Sequence, residues 1–285
     1  MEVLIVTGFL HIKNRKGLEL LCDELKIKYK FGSLNDIRDF NIIYSPEQPI
    51  DSNLYPDKKF IFGPHFSVFP DNRLKKINNK NNNSIYIEPS DWVRELWINL
   101  GGEKYLPIKT LSFPVEVDKF QPIENSIKNE KFIYFKRRDP NELSFIENFL
   151  KKQNITYKIF NYNRRYDEKE YLKCLQNAKY GIIIDAHESQ GFAIEEALSC
   201  NIPLLVWEVN NMSQQYRSNY SNINATTIPY WDERCGEFFK EKEKFEEVYY
   251  KFINKLDTYK PREYILENLS PKKCGERFKE LIESI

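Results

Sequence analysis

The feature that most constrains this chain is a rhythm in its second half. Short, mainly apolar runs alternate with stretches of helical periodicity. Lys131–Phe135, Ile155–Phe160, Tyr180–Ile184 and Ile202–Trp207 are each five or six residues long. Asn141–Lys152, Asp167–Asn177 and Gly191–Cys200 separate them. A run that is apolar at every position is a strand buried on both faces, and such strands occur where helices cover both sides of a parallel sheet. The alternation therefore predicts a doubly wound α/β sheet.

The first half carries the same signal more faintly. Val3–Thr7 reads as a buried strand ending at Gly8, with a helical pattern from Gly17 that places Leu18, Leu21, Cys22 and Leu25 on one face. Asn41–Tyr44, Lys59–Phe62 and Ser84–Ile87 are further strands. Lys76–Ser84, rich in Asn and Lys, reads as a flexible surface loop, and Ser90 caps a helix over Asp91–Asn99. Pro107–Pro122 holds three prolines and reads as a crossover. At about 100–200 residues per domain, the 285 residues divide near Val117. The expected organisation is an N-terminal Rossmann-like domain over 1–116, a second over 117–269, and a last helix from Ser270-Pro271 over 270–285 packing on the first domain.

Composition removes several classes. Forty-three Lys and Arg against 42 Asp and Glu leave a net charge of +1, so the basic excess of a nucleic-acid binder is missing. The five cysteines, at 22, 174, 200, 235 and 274, form no Cys-x-x-Cys pair, which fits reduced thiols and a cytoplasmic location. No apolar run approaches the ~18 residues of a membrane span, and the start, Met1-Glu2, lacks the basic region of a signal peptide. Peripheral membrane contact stays open.

The most informative segment runs from His187 to Leu198, between the strand ending at Ile184 and the next helix. Open α/β sheets bind ligands beyond the carboxyl ends of their strands. Gly191 lets a ligand approach the backbone, and the first-turn amides and dipole of the helix favour an anion such as a diphosphate. Glu196 lies just over one turn into the helix, within reach of a diol. Glu188 precedes the glycine, eight positions before Glu196, and can reach hydroxyls on the other side of the phosphates.

This stretch resembles the Glu-x7-Glu signature of retaining GT-B glycosyltransferases, especially glycosyltransferase family four. Glu188, Gly191 and Glu196 fall on the motif, and Ala197-Leu198 with Asn201-Ile202-Pro203 continues it. Pro89-Ser90-Asp91-Trp92 is similar to the family's late N-terminal strand-to-helix turn. Val117-Asp118-Lys119-Phe120 is similar to its crossover, one residue short. The resemblance implies a GT-B architecture of two Rossmann-like domains facing a cleft, with the C-terminal helix crossing back. It implies transfer of a sugar from a nucleoside-diphosphate sugar to a hydroxyl of a glycan, lipid or small molecule, with retention. Glu196 would bind the donor ribose, Glu188 the transferred sugar, and backbone near Gly191 and Phe192 the sugar or phosphate. Of Lys136-Arg137-Arg138, after the first strand of the second half, Arg137 fits the family's diphosphate-facing arginine. The downstream lysine is missing, and Lys136 or Arg138 is the substitute. Gly17 is the better match to the family's phosphate-loop glycines in the polar loop Gly8–Gly17. His65, after Gly63-Pro64, matches a histidine that contacts the transferred sugar.

No Asp-x-Asp occurs, and Asp185-Ala186-His187 has no further His or Cys nearby, so neither metal nor other cofactor is expected. Phe160-Asn161-Tyr162 ends a strand where a base could sit. Two rival readings stand beside the transferase: a nucleotide-sugar epimerase of the same architecture, and a non-catalytic nucleotide- or sugar-binding module.

Overall fold

In the computed structural model, residues 2–124, 128–164 and 166–285 are described. The chain forms two compact α/β units, Met1–Pro114 together with Leu269–Ile285, and Val115–Asn268. No helix among the described residues is long and apolar enough to cross a membrane.

The first unit is built on six parallel strands: β1 (Glu2–Val6), β2 (Lys28–Gly32), β3 (Ile42–Ser45), β4 (Lys59–Phe62), β5 (Ser84–Glu88) and β6 (Ile108–Thr110). Their order across the sheet is β2-β1-β3-β4-β5-β6. The central strands are the apolar runs read from sequence, and Leu4, Ile43, Phe60, Phe62 and Tyr86 fill one core with Trp97. Two strands have no such run. β2 alternates lysine with aromatics because it is a half-exposed edge, and β6 is a three-residue edge strand inside the expected crossover.

Helix α1 spans Ile12–Glu24, and α2 spans Asp91–Asn99. Two expectations are corrected here. Gly8–Gly17 is not a loop throughout, because the His11 ring accepts the Lys13 N–H at 3.3 Å and starts α1 five residues before Gly17. The Asn/Lys-rich segment is pinned rather than loose. The Asn83 amide donates to the carbonyls of Ser52, Tyr55 and Lys58, at 3.4, 3.0 and 2.8 Å.

The second unit holds β7 (Glu130–Lys136), β8 (Lys158–Asn161), β9 (Ala178–Asp185), β10 (Leu204–Trp207) and β11 (Gly236–Phe239), all parallel, in the order β11-β10-β9-β7-β8. Around them lie α3 (Pro140–Lys152), α4 (Glu168–Asn177), α5 (Phe192–Ser199), α6 (Phe245–Asn254) and α7 (Pro261–Asn268). Ile133, Ile182, Ile184, Leu205 and Phe245 are fully buried between sheet and helices. The final helix α8 (Pro271–Glu283) is capped by the Ser270 hydroxyl and packs on α1 within the first unit.

Candidate functional site

The chain leaves β7, forms β8 on one side of it, and then crosses to form β9 on its other side. The loops after β7 and β9 therefore run in opposite directions and leave a crevice, which is where open α/β sheets bind ligands. Lys136, the last residue of β7, is in register with Asp185, the last of β9. That pairing brings the Lys136-Arg137 loop against the Asp185–Glu188 loop. Arg137 adopts a left-handed backbone, φ 55°, which turns the chain sharply at the strand end.

Four charged groups converge. The Glu188 carboxylate accepts hydrogen bonds from both the Lys136 ammonium and the Arg137 guanidinium. Asp185 lies behind, 3.8 Å from Lys136 Nζ and 3.6 Å from Arg137 Nη2. Arg137 also donates to the His187 carbonyl at 2.6 Å. Burial opposes charge on Glu188, but the two cations outweigh it and hold its carboxyl at about 2. Asp185 moves the other way: it is completely buried, faces the Glu188 carboxylate, and is raised well above the ordinary range. Burial works against the Lys136 ammonium as well, yet Asp185 and Glu188 keep it above the usual lysine value. The His187 imidazole is pushed down to about 4 by burial and by Arg137. The cluster is thus a pair of firmly charged cations with one carboxylate seated on them.

Arg138 is drawn into the protein instead. Only 2% of its side chain is exposed; it pairs with Glu142 at 2.6 Å and donates to the carbonyls of Asp185 and Trp207 at 3.2 and 3.3 Å. Its expected place among ligand-facing cations is corrected, and the cationic face is Lys136 and Arg137. The phenol ring of Tyr162, half exposed, lies 4.7 Å from Lys136 Nζ.

Gly191 stands at the start of α5 with φ 94°, a conformation costly for any residue with a Cβ, and its carbonyl accepts the first helical bonds, from Ile194 and Glu195. Phe192 opens the helix, half-buried. Glu196 is buried at 6% exposure, in the electrostatic neighbourhood of Tyr166 and Tyr171. Glu195 is buried too, accepts from the Gln190 amide at 3.1 Å, and is pushed up by desolvation.

In the first unit, Gly17 sits inside α1. A Cβ there would stand 2.8 Å from Cβ of Phe113, so the absent side chain serves helix packing, and the phosphate-loop placement is corrected. His65 lies after β4. Its Nε2 accepts the His11 N–H at 3.5 Å, and its ring meets Phe9 edge-on at 5.3 Å. Burial and His11 lower its pKa to about 4, so it is neutral at pH 7.

Sequence reasoning missed the segment after β10. Glu208, buried, accepts the Thr226 hydroxyl at 2.6 Å and the Thr227 N–H at 3.2 Å. The Glu188 N–H donates to the Thr226 carbonyl at 2.9 Å, and the Tyr216 N–H to the Arg137 carbonyl at 2.9 Å. The Tyr220 ring meets His187 edge-on at 5.5 Å. One signal was available: Asp185 and Glu208 each end a fully buried apolar run with a carboxylate.

Solved structures share this two-sheet arrangement. AviGT4, a glycosyltransferase involved in Avilamycin A biosynthesis, matches over 99% of this chain and 97% of that one, at 11% identity and a TM-score of 0.55. The fold is of GT-B type. The N-terminal domain of the Candida albicans trehalose-6-phosphate phosphatase matches over 99% of this chain and 96% of that one, at 11% identity and a TM-score of 0.61. TarM matches over 85% of this chain at 14% identity and a TM-score of 0.54; this chain spans 54% of TarM. Neither a protein-family model nor a curated protein matches the chain.

Proposed function

We propose that the second unit binds a nucleoside-diphosphate sugar and that the protein transfers the sugar to a hydroxyl acceptor, with retention and without a metal. The observation that carries this reading is the Lys136–Arg137 pair at the switch point of the sheet, with a carboxylate already seated on it. A diphosphate presents the same kind of oxygen to the same two cations, and α5 begins nearby at a positive-φ glycine. Positive charge aimed at a departing nucleoside diphosphate stabilises the transition state, which is where this geometry would accelerate transfer. Glu188 would turn from the cations to hydroxyls of the sugar once phosphate takes its place. Glu196, within α5, would serve the ribose. A fold shared with a glycosyltransferase supports the reading.

A second reading, a sugar-nucleotide-binding module without turnover, is favoured by one feature of the first unit. Its first loop is short and closes into α1 at Ile12, with Gly17 consumed by packing. A screen of UDP-, GDP-, ADP- and dTDP-sugars by thermal shift, followed by release of nucleoside diphosphate with candidate acceptors, separates the two. Binding with turnover supports the transferase, binding alone the module, and no binding removes both.

A further inference from the structure

The segment of residues 210–230 follows β10 and has no regular strand or long helix, yet it touches the charged cluster at two places. Near its middle, the Tyr216 N–H holds the Arg137 carbonyl at 2.9 Å. Near its end, the Thr226 carbonyl takes the Glu188 N–H at 2.9 Å, and the Thr227 hydroxyl donates to the Asp185 carbonyl at 3.3 Å. The Thr226 hydroxyl and the Thr227 amide converge on one side chain, Glu208, at 2.6 and 3.2 Å. Glu208 is itself fixed, because it leaves the buried strand β10 and its own N–H bonds to the Phe239 carbonyl at 2.9 Å.

We propose that Glu208 is a positioning residue: through Thr226 and Thr227 it holds the 210–230 segment against the strand ends, and so sets where Glu188 stands over Lys136 and Arg137. Its role in turnover rests on the function proposed above; its role in geometry does not. A carboxylate suits the task. It accepts two donors at once, a hydroxyl and an amide from adjacent residues, and charge-assisted bonds in a buried setting are stronger than neutral ones. An amide at the same place keeps the shape but turns an N–H₂ toward one of the two donors.

Two readouts test this. The first is hydrogen exchange at the Glu188 amide, with the Ile183 amide in β9 as the core control. Glu208→Gln and Thr226→Val speed exchange at Glu188 by about ten-fold or more and leave Ile183 unchanged, whereas Thr226→Ser, which restores the hydroxyl, stays near wild type. The second is turnover of whichever sugar nucleotide binds. Glu208→Gln lowers kcat by about ten-fold with donor KM little changed, and costs nothing further in a Glu188→Gln background, because it acts through Glu188. Unchanged exchange at Glu188 overturns the inference. So does equal acceleration at Ile183, which would make Glu208 a general stabiliser, and so does full additivity with Glu188→Gln. A wild-type protein that turns over no sugar nucleotide would remove the proposed transferase, while the exchange readout would still decide the role of Glu208.

Discussion

Replacing Glu188 by Gln perturbs the cluster in two opposite ways, and the contrast is diagnostic. The substitution keeps shape and removes the carboxylate that accepts hydrogen bonds from both Lys136 and Arg137. At 4 Å and an effective dielectric near 20, a unit-charge pair is worth about 4 kcal/mol before desolvation. Glu188 loses much of that to burial, with 13% of its side chain exposed. Asp185, whose carboxyl burial and the Glu188 carboxylate hold above the ordinary range, loses one of the groups that raise it and still faces both cations. A net loss of about 2 kcal/mol remains, which lowers Tm by roughly 4–8 °C for a unit the size of Val115–Asn268. The same change vacates the anion's place. In the wild type a diphosphate must displace the Glu188 carboxylate; in the variant that place carries no charge, and the two cations face Asp185 behind them. Inorganic pyrophosphate at a hundred times its Kd adds about 2.7 kcal/mol, enough to bring the variant back to the Tm of ligand-free wild type. The assay is thermal melting of both proteins across a pyrophosphate series. A variant that melts like wild type, or gains no more from pyrophosphate than wild type does, would refute the argument.

Other predictions follow from single contacts. Glu196→Ala weakens sugar-nucleotide binding about ten- to a hundred-fold, the loss of a charged hydrogen bond of ~1.5–3 kcal/mol, read by calorimetric titration; unchanged affinity assigns the ribose elsewhere. Gly17→Ala destabilises the first unit by about 1–3 kcal/mol, because its Cβ would stand 2.8 Å from Cβ of Phe113; an unchanged denaturation midpoint contradicts the packing role. His187, buried, and His65, partly buried, both fall to about 4. Unfolded histidine binds protons near pH 6.5, so the unfolded chain takes up protons first. Stability is present above pH 6.5 and lost as pH drops toward 4. His187→Gln flattens that slope in melts between pH 7 and 4.5, and an equal slope in the variant sinks the assignment. The Glu188 contribution disappears lower, between the ordinary glutamate range and about 2.

The central strands were legible because burial on both faces leaves an unbroken apolar run, as in Ile182-Ile183-Ile184. The edge strands of the first sheet were not, since β2 interleaves lysine with aromatics and β6 is too short to show a period. Nor did sequence reasoning reach β11, α6 or α7, which follow a long irregular segment. Gly17 misled because a glycine needed for close packing and one needed for a loop look alike in sequence. Arg137 and Glu188 meet because each sits within three residues of a strand's carboxyl end. Arg138 shared that signal, but alternation of side chains at the strand end sent it inward to Glu142. The Glu208–Thr226 link joins positions far apart in sequence, and no local pattern announces it.

The most direct measurement is calorimetric titration of UDP-, GDP-, ADP- and dTDP-sugars into the wild type and into Arg137→Ala. One of the four should bind the wild type in a one-to-one complex and bind the variant at least ten-fold more weakly. Failure of all four to bind, or equal binding by both proteins, would contradict the claim that the switch point of the second sheet holds a diphosphate.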